Sequence, residues 1–458
     1  ARAKIIEDLE AKGLLDKVED INHRTPVSER SKAPIEIIPM EEYYLKQKES
    51  IDEMKKIGEE VTFHPNMHKQ ILMNWLDSIN IDWPISRRRY YGTEIPIWYC
   101  KKCSEPHVPE PGKYYKPWNE KCPISNCVKC DSTEFVGEER TFDTWMDSSV
   151  SPLFISKFNR DDEFFNKVYP ATIRPQAKDI VRTWLYYTLL RCEQLTGEKP
   201  WSEAWIMGYG LDEKGMKMSK SKGNAIDPLP VIEKSGADTF RFWSASEINH
   251  GYDFRCNEQK IESTRKFLSK LWNVSRFLSS FPVIESGTPN ASDKWILSEL
   301  DNLVKECKKG YDDYNFFIPA IAIREFTWNV FAAHYIEMVK ARAYGIDFSD
   351  EERDGAIFTL HKTLSTILKL LAPITPFITE HLWKILYSKE SIHKQKQVDI
   401  ENIEEQSDIT KEIVEFNSKT WNEKKSQNLS LKDSIKIEIP EKLKPFAKDL
   451  KSMHNLVD

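Results

Sequence analysis

The chain of 458 residues is 40% hydrophobic and contains 14 Trp and 22 Phe, which excludes a disordered protein and predicts two to four domains. Its 66 basic and 72 acidic residues give a net charge of −6, so composition alone does not predict a nucleic-acid partner. No apolar run approaches the ~20 residues that span a bilayer, and eight Cys without a secretory signal predict a cytoplasmic protein with no membrane partner.

The first segment predicts one helix over residues 1–20, with an apolar stripe that ends near Gly13. Its mixed charge and lack of an apolar core distinguish it from a signal peptide. Because residue 1 is Ala and not Met, we expect the chain to begin inside a longer polypeptide.

A basic cluster follows at Arg87, Arg88 and Arg89, directly before Tyr90 and Tyr91. Arginines beside aromatic rings suit phosphates or a nucleotide end. The alternative is a surface helix whose arginines pair with nearby acids, and the residues alone favour that interpretation.

Two Cys-x-x-Cys pairs come next, Cys100 with Cys103 and Cys127 with Cys130, separated by residues 104–126. Such pairs let four thiolates converge on one Zn²⁺, and a closed set of four Cys predicts a structural zinc, because no coordination position remains open for chemistry. Cys122 and His107 are further candidates that we leave outside the ligand set. The alternative is that these are incidental cysteines of a reducing compartment.

Acidic and hydroxyl residues then surround Trp145, namely Asp143, Asp147, Ser148 and Ser149. This pattern fits a pocket with an aromatic wall and polar groups that fix an amine or a ribose. It fits a capped helix start with a core Trp equally well. Asp179 opens a later, mostly apolar helix and is a second candidate ligand contact.

A lysine-rich loop, residues 214–224, follows an apolar run that predicts a strand ending at Gly208 and Gly210. Lys217 and Lys220 alternate with Ser219, and almost nothing in the loop can be buried. Ammonium and hydroxyl donors at a strand end suit a polyphosphate. A solvated hairpin loop is an equally good interpretation of this segment alone.

Strands and helices alternate over residues 141–245, which predicts a parallel α/β sheet that binds ligands at the carboxyl ends of its strands. From about residue 255 the pattern is helical and predicts a bundle. In one helix of this bundle, Ser292 is the predicted N-cap and Gly310 the predicted end. Beyond residue 407, one helix and a short β segment at 434–439 are predicted.

Together these segments resemble the class I aminoacyl-tRNA synthetases, most closely the archaeal form of the valine-specific branch. Lys217-Met-Ser-Lys-Ser221 matches the family signature letter for letter. Trp83-Pro-Ile-Ser-Arg-Arg-Arg-Tyr-Tyr-Gly92, Phe142-Asp-Thr-Trp-Met-Asp-Ser-Ser149 and Leu371-Ala-Pro-Ile-Thr-Pro-Phe-Ile-Thr-Glu380 are similar to its other blocks. The resemblance covers roughly residues 25–385.

The resemblance implies activation of valine by ATP with Mg²⁺ and transfer of the aminoacyl group to tRNA-Val. It implies catalytic roles for Lys217, Ser219 and Lys220, the two lysines also binding ATP. The other implied contacts are with ATP (Gly208 and Met218), with the amino acid (Trp145 and Asp179) and with tRNA (Arg87, Arg88, Arg89 and Arg324). The Ala177-Lys178 pair departs from the family pattern, which weakens the assignment of Asp179.

The implied fold is the second half of a Rossmann-type catalytic domain with a four-cysteine zinc knuckle, followed by a helix-bundle anticodon-binding domain. The implied segments are the end of an inserted editing domain (1–60), a connective catalytic segment (61–98), the zinc knuckle (99–140), the second Rossmann half (141–254), a helical connector (255–290), the anticodon-binding bundle (291–387) and an extension (388–458).

The signature His-x-Gly-His, which the family carries in its first catalytic half, occurs nowhere in the chain. The resemblance therefore implies a partner, the missing N-terminal half, either in the same polypeptide or as a separate subunit of a split enzyme, without which the chain forms no adenylate. Isoleucine is the competing substrate. A non-catalytic tRNA-binding paralogue is the competing class, although the intact lysine signature argues against it.

Overall fold

The structure, a computed structural model, describes residues 2–22, 24–28, 31–35, 37–401, 403 and 407–457. It contains two compact units. Unit 1 comprises the chain up to Leu45 together with Trp83–Asp143, and unit 2 comprises Lys46–Asp82 and the chain from Thr144 onward. Among the described residues, no helix combines the length and apolarity needed to cross a membrane.

Unit 1 is built from a helix and short antiparallel strand pairs. Its elements are α1 (Arg2–Ala11), β1 (Tyr44–Leu45), β3 (Trp83–Pro84), β4 (Ser86–Arg87), β5 (Trp98–Cys100), β6 (Pro106–His107), β7 (Phe135–Gly137) and β8 (Thr141–Phe142). Strand β5 pairs with β6 and β7, β1 with β3, and β4 with β8. The antiparallel sheet around β5 carries the first Cys pair.

Unit 2 contains the expected parallel sheet, which is confirmed. Strand β10 (Trp201–Met207) lies between β2 (Thr62–His64) and β9 (Ala171–Ala177), and both pairings are parallel. Ala204 and Ile206 of β10 are fully buried on one face, as the period of two in a strand requires. The short strands β11 (Gly210–Leu211) and β12 (Phe254–Arg255) pair beyond this sheet.

Helices precede, connect and follow these strands. They are α2 (Ile51–Glu60), α3 (Lys69–Ser78), α4 (Thr144–Ser148), α5 (Ser151–Ile155), α6 (Asp162–Val168), α7 (Tyr186–Thr196), α8 (Pro228–Ser235) and α9 (Ala237–Glu247). A 3₁₀ turn at Lys178–Ile180 and a π-helical segment at Val181–Leu185 join β9 to α7.

Strand β9 is one edge of the parallel sheet in the described part of the chain. Its Pro175, which lies opposite Trp205 of β10, cannot donate a backbone hydrogen bond. Prolines in sheets are confined mainly to edge strands, so the sequence of β9 agrees with its position.

A helix bundle completes unit 2 and confirms the second part of the predicted fold class. It contains α10 (Glu258–Leu278), α11 (Ala291–Asp312), α12 (Phe317–Glu325), α13 (Ile336–Ala343), α14 (Asp350–Leu371) and α15 (Pro376–Leu386). A π-helical segment at Phe326–Tyr335 joins α12 to α13. One apolar core runs continuously from Phe242 of α9 to Leu450 near the carboxyl end.

Two details of the predicted bundle were wrong. The N-cap of α11 is Asn290 and not Ser292, because the Asn290 side chain accepts from the Asp293 N–H while the Asp293 carboxylate accepts from the Asn290 N–H. Gly310 lies within α11 and does not end it. A Cβ at this position would lie 2.5 Å from Cδ of Pro319, so the glycine permits the close approach of that residue.

The tail also differs from its prediction. It contains two α-helices, α16 (Ser407–Ser426) and α17 (Ala447–His454), with a 3₁₀ segment between them at Glu441–Phe446. The predicted β segment at 434–439 is reduced to a single parallel bridge between Ile435 and Leu456. The buried Lys424 ammonium ties this region together by donating to the carbonyls of Leu431, Asp433 and His454 at 2.7–2.8 Å.

Candidate nucleotide site and cysteine cluster

The lysine loop lies where the central strand of the parallel sheet ends. After β10 ends at Met207, the backbone of Gly208 approaches Tyr252 so closely that a Cβ would lie 2.0 Å from the Tyr252 carbonyl oxygen. The chain then forms β11 and a turn in which the Asp212 carboxylate accepts from the N–H groups of Lys214 and Met216. Gly215 adopts a φ of +80° that closes this turn, as its sequence predicted.

Two side chains hold the loop in place. The Asn224 amide accepts from the Ser219 N–H at 2.9 Å and donates to the Asp212 carboxylate at 2.9 Å and to the Lys217 carbonyl at 3.3 Å. Met218, which is half-buried, packs against a buried cluster that includes Trp243. The loop is therefore more anchored than the sequence indicated, and this anchoring leaves Lys217 and Lys220 exposed.

Lys217 reaches a carboxylate at the end of the neighbouring strand. Its ammonium lies 2.7 Å from Oδ2 of Asp179, which follows β9, and 4.2 Å from the ring centroid of Tyr209. The hydrogen bond from Lys217 to Asp179 raises the pKa of Lys217 above its usual value. The structure thus brings together two predicted site residues that are far apart in sequence.

A second ion pair lies beside the first and was not predicted. Lys178 contacts Oδ1 of Asp253 at 2.6 Å, and its ammonium lies 4.5 Å from the ring centroid of the same Tyr209. Burial alone would raise the pKa of Asp253, but the hydrogen bond from Lys178 lowers it. Lys178, which belongs to the Ala177-Lys178 pair that departs from the family pattern, thus lies as a charged residue at the carboxyl edge of the sheet. The only sequence signal for it was that departure.

Trp145 lies on α4, and that helix packs near the segment that begins with Asp179. The indole N–H of Trp184 donates to the Ser148 carbonyl at 3.2 Å, which joins α4 to the π-helical segment after Asp179. Trp145 is half-buried. Its place at the start of α4 agrees with the predicted helix start, and the role of Trp145 as a pocket wall stays a prediction.

The arginine cluster is not on a helix, and two of its members have acidic partners. Arg87, on β4, contacts Asp143 at 2.5 Å, and Arg88 contacts Glu42 at 3.1 Å. Arg89 is exposed. In the bundle, Arg324 lies 3.5 Å from Glu325. Contacts between these arginines and tRNA stay a prediction. The alternative interpretation, in which the arginines pair with nearby acids, is observed for Arg87 and Arg88.

The four predicted cysteines converge in unit 1. The Sγ atoms of Cys100, Cys103, Cys127 and Cys130 all lie within 4.8 Å of one another, and Sγ of Cys100 is 3.5 Å from that of Cys130. Ser104 and Asp131, which follow the two pairs, have φ values of +59° and +56° and bend the chain back after each pair.

This geometry fits a tetrahedral Zn²⁺ site, in which Zn–S bonds of ~2.3 Å place the sulfurs roughly 3.8 Å apart. Cys122 is outside the cluster found among the described residues. His107 also lies outside it, with Nε2 3.4 Å from Sγ of Cys127. A hydrogen bond of this kind orients the thiolate, and the thiolate rather than the histidine remains the metal ligand.

Known proteins resemble the chain over nearly its whole length. Residues 17–256 match the family described as tRNA synthetases class I (I, L, M and V), and residues 293–439 match the anticodon-binding domain of tRNA ligases. The chain is 42% identical over 469 residues to a valine–tRNA ligase from Aeropyrum pernix, which covers 99% of the chain and 57% of the relative. It is 43% identical over 465 residues to a valine–tRNA ligase from Nanoarchaeum equitans, with 99% and 60% covered.

Solved structures share the fold at low sequence identity. Methionyl-tRNA synthetase from Mycobacterium tuberculosis in complex with methionyl-adenylate superposes with a TM-score of 0.59 at 18% identity, over 80% of the chain and 66% of that protein. The ternary complex of Agrobacterium radiobacter K84 LeuRS gives 0.55 at 22% identity, over 70% and 42%. The chain spans about 60% of the length of the two curated relatives above.

Proposed function

The chain belongs to the class I tRNA synthetases, and from this premise we propose that it is the carboxyl-terminal part of a valine–tRNA ligase. The reaction is activation of valine by ATP, followed by transfer of the valyl group to tRNA-Val. Relatives named valine–tRNA ligase, at 42–43% identity, support valine over isoleucine. In this proposal the complete activity requires the N-terminal half that carries the His-x-Gly-His signature.

The observation that carries this proposal is the Lys217–Asp179 contact at the carboxyl edge of the parallel sheet. In open α/β sheets this edge is where ligands bind. Because 48% of the Lys217 side chain is exposed and ion pairs in solvent are weak, the Lys217 ammonium can exchange one anionic partner for another at little cost. The triphosphate of ATP, entering with Mg²⁺, replaces Asp179 as its partner.

In the proposed mechanism Lys217 and Lys220 bind the triphosphate and stabilise the charge that develops on the pyrophosphate leaving group. Ser219 adds a hydroxyl donor to the same oxygens, and Met218 anchors the loop so that the donors need not reorganise during the reaction. Gly208, which the proposal also places against ATP, lets the Tyr252 backbone approach the end of β10, since a Cβ there would lie 2.0 Å from the Tyr252 carbonyl oxygen.

Release of Asp179 from Lys217 frees a carboxylate for the substrate. In this proposal Asp179 then binds the amino acid or its adenylate, while Trp145 supplies an apolar wall for the valine side chain. A purely apolar pocket discriminates weakly between side chains that differ by one methylene group.

The remaining assignments complete the proposal. Arg89, Arg87, Arg88 and Arg324 contact tRNA, and Cys100, Cys103, Cys127 and Cys130 hold a structural Zn²⁺ that braces unit 1. The missing N-terminal half covers a sheet edge and apolar surface that this chain leaves exposed. The complete protein acts in the cytoplasm, and its functional segments have the bounds that the resemblance implies, which differ from the bounds of the two compact units.

Adenylate formation by the complete polypeptide, measured as valine-dependent ATP–pyrophosphate exchange, tests the lysine roles. Lys220→Ala is expected to slow exchange by a factor on the order of 10²–10³, as for other donors aimed at a developing charge, with little change in the KM for valine. Lys222→Ala is the matched control, because it removes an equivalent charge from the same loop outside the proposed contacts. Equal rates for the Lys220 and Lys222 variants would contradict the assignment.

The substrate assignment is tested separately. Replacing valine by isoleucine in the same assay should leave exchange lower by about two orders of magnitude, since the preference between neighbouring aliphatic side chains is of that size in such sites. A complete polypeptide that prefers isoleucine would refute valine as the substrate while leaving the lysine roles intact.

A further inference from the structure

Lys178 is a cation at the carboxyl edge of the parallel sheet that has no role in the proposed mechanism. It is the first residue after β9, in the 3₁₀ turn that also contains Asp179. Its ammonium contacts Oδ1 of Asp253, directly before β12, at 2.6 Å. Lys178 and Lys217 share the ring of Tyr209, with their ammonium groups 4.5 and 4.2 Å from its centroid. Two lysine–aspartate pairs therefore lie side by side at this edge.

The two pairs differ in how easily their lysines can change partners. In the pair of Lys217 with Asp179, 48% of the lysine side chain and 34% of the aspartate side chain are exposed. In the pair of Lys178 with Asp253, only 22% of the lysine side chain is exposed. Ion pairs shielded from solvent are held more firmly than exposed ones. Lys217 is therefore the lysine that can leave its carboxylate, and Lys178 is the one that stays.

The Asp253 carboxylate is fixed by the backbone as well as by Lys178. The same Oδ1 accepts from the Tyr209 N–H at 2.7 Å, and the Phe254 N–H donates to the Tyr209 carbonyl at 3.0 Å. Burial would raise the pKa of Asp253, but the hydrogen bonds from Lys178 and Tyr209 hold it below its usual value, so the group is ionised at pH 7. A negative charge is thus fixed where the central strand ends.

This charge acts on Lys217. The pKa of Lys217 is raised first by the hydrogen bond with Asp179 and, more weakly, by the charges of nearby groups that include Asp253. Without Lys178, the Asp253 carboxylate would have no cation of its own. It would then compete with a polyphosphate for the Lys217 ammonium, and it would repel the polyphosphate directly.

We propose that Lys178 is a positioning residue that occupies Asp253, so that Lys217 and an incoming triphosphate meet no second free carboxylate. Lys178 acts through Asp253 and needs no contact of its own with the nucleotide. The inference rests on the proposed function, because it concerns how Lys217 becomes available to ATP. It gives a role to the lysine of the Ala177-Lys178 pair, which departs from the family pattern.

ATP–pyrophosphate exchange by the complete enzyme, measured over a range of ATP concentrations, tests this role. Lys178→Met removes the cation and keeps a long side chain, so Asp253 is left uncompensated. The kcat/KM for ATP should fall on the order of tenfold, as expected for one unit charge several ångströms from Lys217 at an effective dielectric constant of about 20. The KM for valine should change by less than about twofold, because only the nucleotide contact is perturbed.

Removing the charge of Asp253 as well distinguishes this role from a merely structural one. Asp253→Asn keeps an oxygen that can accept the Tyr209 N–H but carries no charge. In the double variant of Lys178→Met with Asp253→Asn, the kcat/KM for ATP should recover most of the loss, because no carboxylate is left to occupy. If Lys178 only braced two strand ends, the brace would be absent from the double variant too, and no recovery would follow.

Lys199→Met is the matched control. Lys199 contacts Glu60 at 3.0 Å and is 26% exposed, but it precedes β10 and so lies at the opposite end of the central strand. Its kcat/KM for ATP should equal that of the unaltered enzyme. Lys178→Arg keeps the cation and should retain most of the activity, with circular dichroism confirming that each variant is folded.

Three results overturn the inference: an unchanged kcat/KM for ATP in Lys178→Met, an equal loss in Lys199→Met, or a double variant no more active than Lys178→Met. Lys220→Ala in the same assay separates this failure from failure of the proposed function. A slow Lys220 variant beside a normal Lys178 variant leaves the proposed function standing. Normal rates in both variants remove the proposed lysine roles as well.

Discussion

Arg342 of α13 lies at the centre of a buried charge cluster, and its replacement by Met tests how the bundle is held together. Both Arg342 and Asp293 are 0% exposed, and two guanidinium nitrogens of Arg342 donate to the two oxygens of Asp293 at 2.7 Å. Nε of Arg342 lies 3.1 Å from Oδ1 of Asp449, on α17, as an ion pair without a well-aligned hydrogen bond. The hydroxyl of Tyr335 also donates to Asp293.

The size of the stability loss in Arg342→Met follows from this burial. Burial alone would lower the pKa of Arg342, but the contact with Asp293 raises it, so the cation is held firmly. Arg342→Met leaves two buried carboxylates without a cation, and breaking a buried pair in this way costs about 3–5 kcal/mol. With 2–4 °C for each kcal/mol in a domain of this size, the melting temperature of the bundle should fall by on the order of 10 °C.

Differential scanning calorimetry at pH 7 measures this shift. Arg353→Met is the matched control, because Arg353 contacts Asp350 at 2.7 Å and Asp354 at 3.0 Å but is 38% exposed, and surface pairs contribute roughly 0–1 kcal/mol. Adding Asp293→Asn and Asp449→Asn to the Arg342 variant should restore part of the lost stability. Equal shifts for the Arg342 and Arg353 variants would refute the reasoning.

Three further predictions concern other parts of the chain. Burial would raise the pKa of Glu138, but hydrogen bonds from Arg140 lower it to about 2. The resulting stabilisation is complete above the unfolded pKa of about 4.5 and is lost as pH falls towards 2. Glu138→Gln should therefore lower the melting temperature at pH 7, by an amount that shrinks below pH 4.5. Purified chain should contain about one zinc by atomic absorption, a content lost in Cys103→Ser and kept in Cys122→Ser. Asn224→Ala removes the three hydrogen bonds of the loop and should speed tryptic cleavage within residues 214–222 about tenfold. An unchanged cleavage rate would show that the packing of Met218 and the hydrogen bonds to Asp212 hold the loop without Asn224.

The sequence predicted the features that depend on local pattern. The strand before Gly208, the turn at Asp212–Gly215 and the convergence of the four cysteines all follow from spacing and residue type, and the structure contains each of them. Hydrophobic periodicity likewise indicated the bundle helices, because burial of one face imposes that period.

Features that depend on tertiary packing could not be predicted. The Lys217–Asp179 and Lys178–Asp253 pairs join residues brought together only by the parallel sheet. Gly310 carried a helix-end signal in the sequence, yet it serves the approach of Pro319.

The order of the parallel sheet has a consequence for how this chain folds as it is synthesised. Its central strand, β10, is also the last of the three to be made, and residues 65–200 lie between β2 and β10. Among the described residues, β2 and β9 both pair with β10 and not with each other, so these two pairings cannot form until residue 207 has left the ribosome. The sheet therefore assembles late, through long-range contacts. The two Cys pairs of unit 1 lie close together in sequence, and they are synthesised early enough to form their cluster before the sheet is complete.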